Sequence, residues 1–276
     1  MTNDGSFRVL TASTTQTVRA VVAAQSVGGV TAVEMAKVLT AAVLVRETMA
    51  PENRVQVLYR DPHGSQLVGD GYPEGKTRGL VRLKGGAGDI DVGDGGLFQV
   101  ERIVRLGRAH QGLVTLSEGE DLVVALRNYF LQSEQVTSML DLACVSSGGE
   151  IIAAGGYVVQ LLPELTDPPL RAMKERLAEI GRLEALFATA GAADPAQIMA
   201  AVLADGEHTM LADSPVAFHC PCDRQRVRVA AGALGREEIQ KLLAEEEDLS
   251  ISCDYCREPY TLGVADYRSI LDELDA

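Results

Sequence analysis

Four thiols in the last quarter of the chain are the residues best suited to chemistry. They stand as Cys220-Pro221-Cys222 and Cys253-Asp254-Tyr255-Cys256, a C-x-C and a C-x-x-C pair separated by the thirty residues from Asp223 to Ser252. Two close pairs can supply the four soft ligands of a tetrahedral zinc ion, each sulfur about 2.3 Å from the metal. The x-x gap lets a tight turn aim both sulfurs at one point. The C-x-C spacing is the less common one in zinc ribbons, which makes the constellation more specific. Four of the five cysteines fall within the 37 positions from 220 to 256, so they are read as zinc or redox ligands, not as disulfide staples. His219 could replace one thiolate, but a complete set of four cysteines leaves it a neighbour. Arg224, Arg226 and Arg228 follow the first pair. Either they are cations stabilising a thiolate centre of net negative charge, or they form a solvated basic turn.

The composition limits what such a module serves. The chain has 276 residues, 46% hydrophobic and 23% charged, with a formal net charge of -14. That length allows two domains and a substantial core. The acidic balance works against nucleic acid and anionic membrane as partners. Residues Met1 to Ser13 lack a basic start followed by an apolar run, so no signal peptide is expected. The most apolar stretch, Val30 to Val45, contains Glu34 and Lys37 and is too short and too charged to span a bilayer. A cytoplasmic location is expected, where thiols stay reduced and paired cysteines more often bind metal or sense oxidants.

The elements that must position the thiols read as an α+β protein: an N-terminal sheet-rich core with packed helices, a helical linker and a small C-terminal zinc-binding domain. Thr14 to Gln25 is expected as a first helix. Thr31 and Glu34 match a capping box for a second, which carries Met35, Val38, Leu39 and Ala42 and stops before Pro51. Asn53 to Arg60 alternates as a half-buried strand, and Asp61-Pro62-His63-Gly64 is a turn. Short apolar runs at Leu80 to Leu83, Leu97 to Leu106 and Leu113 to Leu116 read as antiparallel strands. Gly71 to Thr77 nearly matches a phosphate-cradling loop, but Asp70 stands where the first glycine would be, and a strand pattern follows where the motif needs a helix. It is read as a plain turn. Asp121 to Gln135 is expected as a helix, and Val136 to Val145 and Glu150 to Leu162 as paired strands about Gly148-Gly149, with Cys144 a buried small residue.

Asp167 as N-cap and Pro168 in the first turn open a helix that ends at Gly191. Its apolar stripe is Leu170, Met173, Leu177, Ile180, Leu183 and Phe187. Asp194-Pro195 opens a second short helix that stops near Gly206. In the cysteine module, Arg236 to Glu247 is a helix and Tyr260 to Val264 a closing strand, and the acidic run Glu245 to Asp248 is a solvated surface. The expected domains are 1–169, a linker or switch region 170–216, and a four-cysteine domain 217–276.

The whole chain resembles the heat-shock protein 33 family of redox-regulated bacterial chaperones. The resemblance is carried by the two cysteine pairs, by Tyr129-Phe130 followed by Ser133-Glu134-Gln135, and by Ala153-Ala154-Gly155-Gly156 leading to Gln160. It implies a stress-response holdase, not an enzyme, that works without ATP and is inactive while reduced and bound to one zinc ion per chain. It implies Cys220, Cys222, Cys253 and Cys256 as zinc ligands, with disulfides Cys220–Cys222 and Cys253–Cys256 formed by peroxide or hypochlorous acid as zinc leaves. Its partners would be unfolded client proteins, with a homodimer in the oxidised state. So small a module is marginal without its metal, and oxidising a ligand removes the metal. The apolar stripe from Leu170 to Phe187, as switch and client-binding surface, would then be uncovered. The alternative is a zinc module that binds nucleic acid or a partner protein constitutively. A nucleotide-dependent enzyme using Gly71 to Thr77 is a more distant one.

Overall fold

A computed structural model describes residues 1–86, 88–104, 109–163, 165–204 and 206–275. The last two positions of the expected run from Leu97 to Leu106 lie outside the described residues. The chain forms two compact units, Met1–His219 and Cys220–Ala276.

In the first unit the order is β1 (Phe7–Ser13), α1 (Thr15–Gln25), α2 (Gly29–Arg46), β2 (Arg54–Arg60), β3 (Gln66–Gly71), β4 (Lys76–Arg82), β5 (Leu97–Ile103), β6 (His110–Thr115), α3 (Leu122–Gln132), β7 (Ser138–Ser147), β8 (Glu150–Leu161), α4 (Asp167–Ile180), α5 (Leu183–Ala190), α6 (Pro195–Leu203) and β9 (Ala217–Phe218). Two sheets result, one in the order β1-β8-β7 and one in the order β6-β5-β2-β3-β4-β9. Pairing is antiparallel except where β9 runs parallel to β4.

Helix α2 packs on strands of both sheets, which is why its sequence is apolar on nearly every side. Met35, Val38, Leu39, Ala42 and Leu44 are fully buried, among them the four the helical spacing picked out. The expected capping box is corrected. The helix starts at Gly29, and Thr31 lies inside it. The Thr31 hydroxyl instead donates to Asp89 Oδ1 and accepts from the Ile90 amide, both at 3.1 Å. Strand β2 buries Val55, Val57 and Tyr59 as its alternation requires. In the turn that follows, Asp61 Oδ1 accepts the amides of His63 and Ser65 at 3.0 and 2.7 Å. In the Gly71–Thr77 loop the chain runs as β4 from Lys76, a strand where the phosphate-cradling motif needs a helix. Asp70 is 1% exposed and paired with Arg78 at 2.8 Å, so this loop is the plain turn expected and presents no phosphate cradle.

The motifs that carried the resemblance have structural roles. Tyr129 on α3 donates to Glu134 Oε1 at 2.5 Å and accepts from Arg102 Nε at 3.1 Å, and Arg102 closes the triangle on Glu134 Oε2 at 2.7 Å. Gly156 lies on the central strand of its sheet, where an added Cβ would meet the Asp141 carbonyl at 2.7 Å. Only glycine lets the strands approach so closely. Strand β1, not foreseen from the sequence, pairs with β8 from Phe7↔Leu161 to Ser13↔Gly155.

The single long helix expected from Asp167 to Gly191 is two helices. Gly181 breaks it with φ 64 and ψ -136, a conformation open to glycine and strained for other residues. Thr166, not Asp167, is the N-cap of α4. On α6, Asp194 caps as expected and accepts from the Ala196 amide at 2.9 Å. Helices α4, α5 and α6 build a second apolar cluster with the face of the three-stranded sheet that carries Phe7, Val9, Ala143, Ala153, Tyr157 and Val159. Past α6 the chain is tied to the first residues. Asn3 N donates to the Glu207 carbonyl at 3.0 Å, and Thr209 N donates to the Met1 carbonyl at 2.9 Å.

The second unit contains α7 (Arg224–Ala231), α8 (Arg236–Glu245), β10 (Leu249–Ser252), β11 (Pro259–Leu262) and α9 (Val264–Asp275). β10 and β11 form an antiparallel hairpin. The buried apolar cluster is Val227, Ala231, Ile239, Leu262, Tyr267 and Ile270. Among the described residues, no helix is long and apolar enough to cross a membrane.

Candidate metal centre

The hairpin and the segment before α7 bring the thiol pairs together. Cys253 follows β10 directly, and its amide donates to the Glu258 carbonyl at 2.9 Å while its carbonyl accepts from the Arg257 amide at 2.8 Å. This tight reversal, with Arg257 at φ 62, holds Cys253 and Cys256 on one side of the turn. Cys220 and Cys222 precede α7, whose start is fixed by Asp223, an N-cap accepting from the Arg226 amide at 2.8 Å.

The four sulfurs lie within 4.8 Å of one another. Cys220 Sγ is 3.7 Å from Cys253 Sγ, and Cys222 Sγ is 3.3 Å from Cys256 Sγ. A tetrahedral ion about 2.3 Å from each sulfur sets the sulfurs about 3.8 Å apart. A disulfide would need about 2.05 Å, and all four are free thiols. The donor set and its spacing fit zinc. The titration of the thiols agrees. Burial raises Cys253, but amide and sulfur hydrogen bonds outweigh it and hold this thiol below its ordinary range. Burial and the neighbouring sulfurs drive Cys256 well above it. Four sulfurs this close cannot all ionise without a cation among them.

The expected basic turn is instead the helix α7, and each of its three arginines faces a carboxylate. Arg224 forks onto Asp266 at 3.1 and 2.6 Å, Arg228 pairs with Glu273 at 2.7 Å, and Arg226 stands 4.0 Å from Asp223. They lie on a helix, and the Arg224 and Arg228 pairings tie α7 to α9. Tyr260, read from the sequence only as part of a strand, donates its phenol to Cys222 Sγ at 3.3 Å. That bond holds the phenol proton above its ordinary range. Its sequence signal was an aromatic hydroxyl four residues past the last cysteine.

The candidate switch residues lie elsewhere, in the first unit. Met173, Leu183 and Phe187 are buried in the cluster against the three-stranded sheet, and Leu177 and Ile180 pack half-buried against it. Leu170 is half-buried and outside that cluster. Cys144 is buried on β7, and burial pushes its thiol up to about 12, which leaves it inert.

Fold and site together define an α+β protein whose second compact unit gathers four thiols close enough to hold a metal ion. A family model described as Hsp33 protein matches residues 1–263. A 33 kDa chaperonin of Bacillus licheniformis is 27% identical over 98% of this chain and 96% of its own. That of Halalkalibacterium halodurans is 30% identical over 77% of this chain and 75% of its own. In fold, the chain is similar to a crystal structure of the 33 kDa chaperonin (heat shock protein 33 homolog) of Thermotoga maritima. The TM-score is 0.82 at 20% identity, with 99% of this chain and 96% of that one covered. The chain belongs to the Hsp33 family.

Proposed function

We propose that this protein is a redox-regulated, ATP-independent holdase chaperone of a reducing compartment. It is zinc-bound and inactive while reduced, and oxidation with zinc release activates it. The observation that carries the reading is the convergence of Cys220, Cys222, Cys253 and Cys256 within 4.8 Å inside a unit whose own apolar cluster is small. Family membership supports the chaperone part, through relatives named 33 kDa chaperonin.

The chemistry follows from the ligand set. When bound, zinc supplies cross-linking of two chain segments and neutralisation of thiolate charge. Structural zinc contributes on the order of 10–16 kcal/mol of apparent binding energy, against about 5–15 kcal/mol of stability for a whole domain. The module and its metal are therefore lost together. A thiol pair gives two electrons to one hydrogen peroxide, forming one S–S bond and two waters. Each oxidised pair removes two ligands, and the pairs that form are Cys220–Cys222 and Cys253–Cys256, neighbours in the chain that stay close once the module has unfolded.

The client surface is the region 170–216, in which Met173, Leu177, Ile180, Leu183 and Phe187 are released from the three-stranded sheet after the module unfolds and join Leu170 in one exposed stripe. Such exposed apolar area binds unfolding proteins and favours a homodimer. The test is zinc and thiol titration in one sample. One zinc per reduced chain, released by peroxide in step with the loss of four thiols, supports the reading. Full zinc occupancy in a variant lacking both Cys253 and Cys256 rules it out.

A further inference from the structure

We infer that Tyr260 is a positioning residue of the metal centre, its phenol a hydrogen-bond donor to the Cys222 sulfur that sets how tightly zinc is held and how fast that sulfur reacts with peroxide. This rests on the reading that the four cysteines bind zinc. The geometry comes from the hairpin. Tyr260 pairs with Ile251 in the β10–β11 ladder, and its ring packs against the module's apolar cluster. The side chain is fixed by the strand and the cluster, and its hydroxyl reaches Cys222 Sγ at 3.3 Å. It thereby links the C-terminal strand to the C-x-C pair, which precedes it by nearly forty residues.

A donor on a metal-bound thiolate draws charge from sulfur. The four-thiolate centre carries excess negative charge, so the bond stabilises it in the manner of an outer partner that orients a ligand. The same withdrawal lowers the nucleophilicity of the sulfur. Attack of thiolate sulfur on peroxide forms an S–O bond, breaks the O–O bond and releases hydroxide. The resulting sulfenic acid then yields a disulfide and water when a second thiol attacks it. Less charge on sulfur slows the first of these steps. Tyr260 therefore works as a brake on activation.

Tyr260→Phe keeps the ring and removes the donor. Competition of the reduced full chain with a chromogenic chelator should show zinc affinity lowered about tenfold, and peroxide should oxidise Cys222 several-fold faster. The deciding readout is the cobalt(II)-substituted protein, because its sulfur-to-metal charge-transfer band reports charge on the thiolates. In Tyr260→Phe that band should move to longer wavelength. Tyr267→Phe is the control. Its phenol donates to the Glu247 and Leu262 carbonyls at 2.7 and 2.9 Å, so its loss should lower module stability and leave the band in place. Wild-type affinity and an unshifted band in Tyr260→Phe overturn the inference alone. A wild-type chain that binds neither zinc nor cobalt overturns the proposed metal centre and this inference with it.

Discussion

Phe187→Ala offers the sharpest test of how the region after β8 is held down. Phe187 is 1% exposed. It sits on α5 in the cluster formed with Phe7, Val9, Tyr157 and Val159, and its Cζ lies 3.3 Å from where a Cβ on Gly155 would stand. Truncating a buried Phe to Ala costs about 3–5 kcal/mol. At about 1.4 kcal/mol per tenfold, that raises the open population of α4–α6 by roughly two to three and a half orders of magnitude. The cost falls on docking of these helices, because β2–β5 belong to the other cluster. Hydrogen exchange on the reduced protein should show the drop in α4, α5 and α6 amides, with β2–β5 unchanged. The variant should also suppress client aggregation in part without oxidant. Leu170→Ser, outside the cluster, should do little. Unchanged protection of α4–α6 in Phe187→Ala refutes the packing argument. Full exposure without any chaperone activity refutes the role of this region as the client surface.

Three further outcomes are expected. Peptide mapping after peroxide should find Cys220–Cys222 and Cys253–Cys256. The folded module sets Cys220 3.7 Å from Cys253 and Cys222 3.3 Å from Cys256, so dominant bridges between those partners would show that oxidation precedes unfolding. Asp61 is raised by burial, but its amide hydrogen bonds hold the carboxylate below its ordinary range. Its contribution is therefore present above about pH 4 and lost as pH falls through the depressed value. Asp61→Asn should flatten that part of the acid unfolding profile of the first unit, and an unchanged profile contradicts it. Asn3→Pro removes the amide donor to Glu207. Exchange at Thr209 should then rise by about fivefold, as expected for a net bond energy of about 1 kcal/mol, and unaltered exchange would dismiss this tie.

Much of the arrangement was legible because it rests on local pattern. The C-x-C and C-x-x-C spacing named the four thiols that the fold brings together, and the alternation of Val55, Val57 and Tyr59 and the turn at Asp61–Gly64 named their elements. What was missed depended on tertiary context. Strand β1 alternates only over Phe7, Val9 and Thr11, and its partner β8 is more than a hundred residues away. Helix α7 hides its apolar side in two residues, Val227 and Ala231, among arginines whose partners Asp266 and Glu273 come from α9. Thr31 had the chemistry of a cap, but the loop carrying Asp89 and Ile90 claimed its hydroxyl. Gly181 was a visible warning inside a helical pattern, and the continuous stripe from Leu170 to Phe187 read across it. Tyr260 showed in the sequence only as an aromatic hydroxyl four residues past the last cysteine, since only the folded hairpin aims it at Cys222.

Light scattering of a heat-denaturing client, with no ATP present, tests the central claim most directly. Reduced, zinc-loaded protein should leave aggregation unchanged, and the same protein after peroxide treatment and zinc release should suppress it at near-stoichiometric amounts. Equal suppression by both forms, or by neither, would contradict control of a chaperone by these four cysteines.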